Sequence, residues 1–435
     1  MKVSKASSSI LDWLLRKFPS LQRELSTTRF ILLTLCVALF SLLPFRGSLK
    51  CSSRYLGYDL ALRYNECRCI LDEQRIPADV VSGRVESKQY AYFMDIAADR
   101  QLSQSKKPIH SYPPWAYGLL LPIAKLGVTT FTRIVALVNI AALLFLGLFG
   151  GYYLRKQSCP SFLACLAPLL VLSAYTSIRF CIAVANFGIL ITAAYLLVAI
   201  GITSGKQGLT IIGWTLAMMK PQFGLLLAIP ILCARQWIAL VCTPIVCFLL
   251  SCLPAYYLNI SPINLILKLT ETGAQARGIH YTEGLFAFLH YTRAQDWILP
   301  LNFLSCISVV LWSAWKGRHF RNGLLAVAPV ALCTLWGSYS QPHDRMLLFL
   351  PLWFCVAWLL THPIHHRTSL VALLFSGLSI TMSLELHILR RCFSPWSEGI
   401  LSAKLFTVID PLWWLGLIVT FIIFFSDVTR QKEQD

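Results

Sequence analysis

The sequence predicts an all-α, polytopic integral membrane protein with about 12 or 13 transmembrane helices, on three observations. First, its 435 residues are 56% hydrophobic and only 13% charged, with a mean hydropathy of +0.63. About a quarter of the residues of an ordinary soluble domain are charged. Second, apolar runs recur along most of the chain, and many approach the roughly 20 residues that a helix needs to cross a hydrocarbon core. No water reaches that depth, so the backbone must pair within each run, which means helix. Third, the longest polar interval, from about residue 46 to residue 112, leaves no room for a large aqueous domain.

The N-terminal segment 1–30 carries Lys2, Lys5, Arg16, Lys17, Arg23 and Arg29. Such residues before a first span hold it to the cytoplasmic side. The run at 31–46 lacks a small-residue cleavage pattern and reads as an uncleaved span. Further spans are expected at 131–154, 160–176, 180–203, 207–219, 221–234, 237–258, 298–315, 323–340, 346–361, 368–385 and 405–426. The membrane domain thus covers 31–426, with extracytoplasmic loops at 47–112 and 259–297 and a cytoplasmic tail at 427–435. The segment Pro114 to Leu126 would rise only about 20 Å as a helix, short of a full bilayer crossing. If it dips in without crossing, Arg155, Lys156, Lys206, Arg235, the cluster at 316–321 and the histidines at 362–367 all fall inside, in keeping with the positive-inside tendency. If it crosses, one of the short runs at 207–219 and 221–234 must be reassigned, so both counts stay open.

Several function classes are excluded. The formal charge of +18 suits anionic lipid and positive-inside loops; no basic helix or aromatic single-strand motif makes nucleic acid a partner. Fifteen cysteines are present, but most, including Cys165, Cys233, Cys242, Cys247 and Cys252, sit in apolar runs as small hydrophobes. Cys67 and Cys69 do not have zinc-site spacing, and a disulfide from Cys51 to one of them stays open. No metal is expected. The chain has no P-loop, no dinucleotide-binding glycine fingerprint and no Gly-x-Ser-x-Gly elbow, nor any internal repeat.

Four stretches carry residues suited to chemistry. In "SSRYLGYDLALRYNEC", Asp59 stands beside Tyr58 after the first span. A carboxylate just above a membrane can take a proton from an attacking hydroxyl; the alternative is a solvated acid paired with Arg54 or Arg63. In "HSYPPWAYG", Pro113 pushes Tyr112 out of the helical region and Pro114 suits the first turn of a helix, with Trp115 next. That pattern equally describes an interfacial anchor. In "LAMMKPQFG", Lys220 interrupts an apolar run ahead of Pro221. An ionisable residue there is a functional candidate able to hold a phosphate, unless it snorkels to the surface. In "SQPHDRMLLF", His343, Asp344 and Arg345 stand together at a helix start and could bind an anion or orient a sugar hydroxyl. The loop around Lys268, Arg277, His280, Glu283, His290 and Arg293 suits a sugar or lipid headgroup, or a plain amphipathic surface.

Taken in order, "YDLALRY", "SYPPWAYGLLLPIAKLG", "LAMMKPQFGLLLAIPILCARQW" and "SQPHDRMLLFLPLW" resemble glycosyltransferase family 87. The resemblance implies a helical bundle of the GT-C type and transfer of a sugar from a polyprenyl-phosphate donor, as in the mycobacterial mannosyltransferases of that family. It further implies Asp59 as general base, Tyr112, Pro113 and Pro114 as the Tyr-Pro-Pro corner, Lys220 and Pro221 as the Lys-Pro break, and His343 with Asp344 as the late polar pair. Where the family shows Gly-Gln-x-Asn, this chain reads "FCIAVANFGILI", with Asn186 at the asparagine and no glutamine.

The expectation is therefore an inverting hexosyltransferase working at the extracytoplasmic face, in a bacterial plasma membrane. Its partners would be a lipid-linked sugar donor, a lipid or glycan acceptor and the bilayer; no cofactor is expected. Alternatives are a transporter or flippase of lipid-linked saccharides, or a glycan ligase or polymerase. A transporter would be expected to place polar residues in paired, repeat-related helices near mid-membrane.

Overall fold

A computed structural model describes residues 58–71, 112–156, 159–174, 186–267, 306–316, 322–337, 344–362, 367–393 and 400–434, with positions 178, 181, 182 and 304. The N-terminal segment, the expected span at 31–46 and most of the two long loops lie outside the described residues, whereas the expected tail at 427–435 is helical as far as Gln434. What is described is helical, with no strand, and is an all-α polytopic membrane protein.

The first loop contains helix α1, Tyr58–Ile70. The Tyr-Pro-Pro corner opens α2, Pro114–Ala124, which turns at Gly127 into the long apolar α3, Val128–Lys156. Gly127 has φ +88°, a left-handed conformation open to glycine at little cost. Next come α4, Ser161–Ala174; α5, Gly188–Ser204; and α6, Gln207–Ala217. The expected span at 221–234 is three pieces: α7, Pro221–Gly224; a 3-10 turn, Leu225–Leu227; and α8, Ala228–Cys233. Then follow α9, Trp237–Leu258, and α10, Cys306–Lys316. The last part holds α11, Gly323–Gly337; a 3-10 turn, Asp344–Leu348; α12, Phe349–Thr361; α13, Arg367–Phe393; and α14, Ile400–Gln434. Among the described residues, α3, α9 and the stretch Trp414–Gln431 of α14 are long and apolar enough to cross a membrane.

Helix α5 is the central post. It is apolar all round and buried at most positions, as expected of an interior helix. Gly323 of α11 packs directly on its backbone, where an added Cβ would sit 1.9 Å from the Ala199 carbonyl oxygen. Small residues at such crossings let membrane helices approach closely. By contrast, α9 presents Val241, Ile245, Leu249 and Tyr256 outward, a spacing that marks one helix face in contact with lipid.

Two expected spans are corrected in a way that matters for the site. The run at 180–203 is interrupted: Asn186 is non-helical and α5 begins only at Gly188. The run at 221–234 is broken as described above. Hydropathy sees both as continuous because every interrupting residue except Asn186 is itself apolar.

Candidate active site

Two breaks and one helix start place polar groups together. Pro221 holds Lys220 in extended backbone, at φ −122° and ψ 94°, and occupies the first turn of α7. The carbonyls of Phe223 and Gly224 at this break are capped by buried side chains: the Tyr195 hydroxyl donates to Phe223 O, and Trp214 Nε1 donates to Gly224 O at 2.9 Å. Such substitution is what allows irregular backbone inside a membrane bundle. Asn186 secures the second break, its Oδ1 accepting from Gly188 N–H at 2.8 Å, a local Asx-type bond. Asp344 opens the 3-10 turn ahead of α12.

At the junction, Lys220 Nζ lies 2.5 Å from Asp344 Oδ1 and donates to Asn186 Oδ1 at 3.4 Å. All three are buried: Lys220 is 5% exposed, Asp344 2% and Asn186 1%. The snorkelling alternative for Lys220 is thereby removed. Arg345, beside Asp344, is buried as well. His343 lies outside the described residues.

The Tyr-Pro-Pro corner adjoins this cluster. Pro113 is extended, at φ −69° and ψ 156°, and α2 starts at Pro114 with no side-chain cap. Trp115 Nε1 donates to Met218 O at 2.7 Å, two residues before Lys220. The Tyr112 ring lies 6.0 Å from the ring of Phe187, the neighbour of Asn186.

Helix α1 docks on the same corner. Arg63 stacks its guanidinium 4.4 Å above the Tyr112 ring and pairs with Glu66 at 2.6 Å. Tyr117 donates to Glu66 Oε2 at 2.5 Å and accepts, at 3.4 Å, from Tyr112 N–H. Arg63, one of the partners considered for Asp59, is thus engaged with Glu66. Contacts from Glu66 to Tyr117 and from Arg63 to Tyr112 show that α1, followed back toward its start, approaches the start of α2. Asp59 is one turn further back along that helix, with Tyr58 before it. Only their backbone is described.

The cluster is recessed rather than superficial. Gly118 abuts the Leu250 carbonyl, and Lys125 bonds the Tyr257 hydroxyl; both contacts carry the same offset of 132 residues. Helices α2 and α9 therefore run in the same direction, and α2 climbs from the cluster toward the end of α9. At a rise of about 1.5 Å per residue, Trp115 lies about 15 Å along α2 from exposed Lys125.

Sequence reasoning passed over Glu66, Tyr117 and Asn139 as site residues. Asn139 was detectable: a lone amide in the apolar run "VALVNIAALLF" is a polar residue at membrane depth. Among the described residues, no three His, Cys, Asp or Glu side chains gather as metal ligands would. The disulfide question turns on Cys51, outside the described residues; Cys67 is fully buried in α1.

The family model for glycosyltransferase family 87 matches residues 110–382, well over half of the chain. The chain belongs to glycosyltransferase family 87. As a member of this family it is a membrane glycosyltransferase, and the matched region contains the Tyr-Pro-Pro corner, both helix breaks and Asp344. Helix α1 with Asp59 precedes it. No curated protein and no solved structure matches the chain.

Proposed function

We propose that this family 87 glycosyltransferase moves a mannose-like hexose from a polyprenyl-phosphate donor to a lipid or glycan hydroxyl, at the extracytoplasmic face of a bacterial plasma membrane and within a GT-C-type bundle. The observation that carries the reading is the buried Lys220, fixed by Asp344 and Asn186 beside the Tyr-Pro-Pro corner. An ammonium has three donors. Among the described residues two are committed, and the third is available to an oxygen of the donor phosphate.

In the proposed reaction the acceptor oxygen attacks the anomeric carbon opposite the phosphate, and the bond from that carbon to the phosphate oxygen breaks. The electron pair leaves with the phosphate, whose charge Lys220 and Arg345 stabilise in a site largely free of water. The acceptor proton passes to Asp59, and the anomeric centre inverts. Asp344 holds the Lys220 ammonium in place, and His343 assists at the phosphate. The leaving group already carries its phosphate, so no nucleotide enters. The gathering of polar groups at one junction, rather than in paired, repeat-related helices, favours chemistry over passage.

The test uses proteoliposomes containing the full chain, a labelled polyprenyl-phosphate mannose and extracted membrane lipids as acceptor. New glycosidic product is expected from the wild type, with none from Asp59→Asn although donor binding persists. Label that crosses the bilayer without forming product would instead make the protein a transporter, and an active Asp59→Asn enzyme would remove the base.

A further inference from the structure

We infer that Asn139 is a specificity-determining residue that accepts a hydrogen bond from a ring hydroxyl of the transferred sugar; the inference rests on the proposed function above. Asn139 sits in apolar α3, buried at 5% exposure. Its Nδ2 donates to the backbone carbonyl of Asn186 at 3.3 Å, which fixes the amide's orientation, because the flipped form would set two oxygens face to face. The other end of the amide, Oδ1, is buried with no hydrogen-bond partner among the described residues. An orphaned acceptor in such a place is destabilising, and a merely structural Asn could be replaced by an apolar residue.

Its position argues for a ligand. Asn139 bonds the backbone carbonyl of Asn186, the same residue whose side chain accepts from the Lys220 ammonium. Distance along the chain agrees: α2 and α3 meet at the turn through Gly127, and Trp115 and Asn139 stand at similar distances from it, about 15 Å back along α2 and about 16 Å along α3. Asn139 is therefore linked to the proposed phosphate site through one residue, Asn186. The group bound by a phosphate-anchoring lysine is followed immediately by the sugar ring, whose hydroxyls are the donors that a lone carbonyl oxygen would take. A site that reads a hydroxyl in this way rejects the analogue lacking it far better than an apolar pocket does.

The experiment measures kcat/KM of the wild type and Asn139→Leu in proteoliposomes, with the parent polyprenyl-phosphate hexose and with donors each lacking one ring hydroxyl. For the parent donor the variant is expected to fall by about 10- to 100-fold. At one deoxy position the wild type should fall similarly while the variant shows no further loss, and the penalties at the other positions should be unchanged. Melting temperature in detergent should hold or rise, since the orphaned oxygen is gone. A variant that loses melting temperature and slows equally on every donor would overturn the inference and leave Asn139 as a brace for Asn186. Should the Leu variant fail to fold, Asn139→Ala provides the same comparison of deoxy penalties. No turnover by the wild type on any of these donors sinks the proposed function and this inference with it; turnover with an unaltered deoxy profile in the variant sinks the inference alone.

Discussion

Consider removing the Lys220–Asp344 pair one partner at a time and then together. At 2.5 Å and an effective dielectric of about 20, the raw attraction is roughly 6–7 kcal/mol. Desolvation takes back several kcal/mol per ion, so the net contribution of the pair to folding is near zero. Removing one partner is different, because it strands the other charge among side chains that exclude water. Lys220→Met or Asp344→Leu alone should each destabilise by about 3–5 kcal/mol. The double variant, with apolar groups of similar size, should recover most of that stability. It should nevertheless form no glycosidic product, because the ammonium proposed to meet the phosphate is gone. The assay pairs thermal unfolding in detergent with sugar transfer in proteoliposomes. A double variant as unstable as the singles would refute the buried pairing, and a stable, active one would refute its place in the reaction.

Other predictions follow from contacts around the corner. Gly118→Ala should separate α2 from α9, since its Cβ would lie 2.1 Å from the Leu250 carbonyl oxygen; overpacking of this kind costs about 1–3 kcal/mol, read as a lower melting temperature and reduced transfer. Tyr117→Phe removes the hydroxyl that donates to Glu66 and should destabilise by about 1–3 kcal/mol in chemical unfolding. A shift near zero would mean that Glu66 does not depend on that contact. The depth of α2 in the membrane can be read by thiol labelling: with native thiols blocked beforehand or replaced, Lys125→Cys, at an exposed position, should react with a membrane-impermeant maleimide and Trp115→Cys, at a buried one, should not. Equal labelling would place the corner at the surface.

Membrane class and most helices were legible in the sequence because both depend on local runs of apolar residues. Lys220 and the Tyr-Pro-Pro corner stood out for a similar reason, since a proline acts on its immediate neighbours. The break at Asn186 was less visible, being set by one short side chain within an apolar stretch. Asn139 was overlooked because a single amide in a long apolar helix scarcely changes its hydropathy.

By itself, the sequence determined a multi-helix membrane protein, the proline breaks and the residue types on hand for chemistry; each follows from covalent geometry and the thickness of hydrocarbon. Only the tertiary structure decided that Lys220 pairs with Asp344, 124 residues away, that Glu66 joins α1 to α2, and that Lys220, Asp344 and Asn186 are buried together. These depend on which helix faces meet and in what register, and apolar faces of similar composition leave that choice to side-chain packing across the whole bundle.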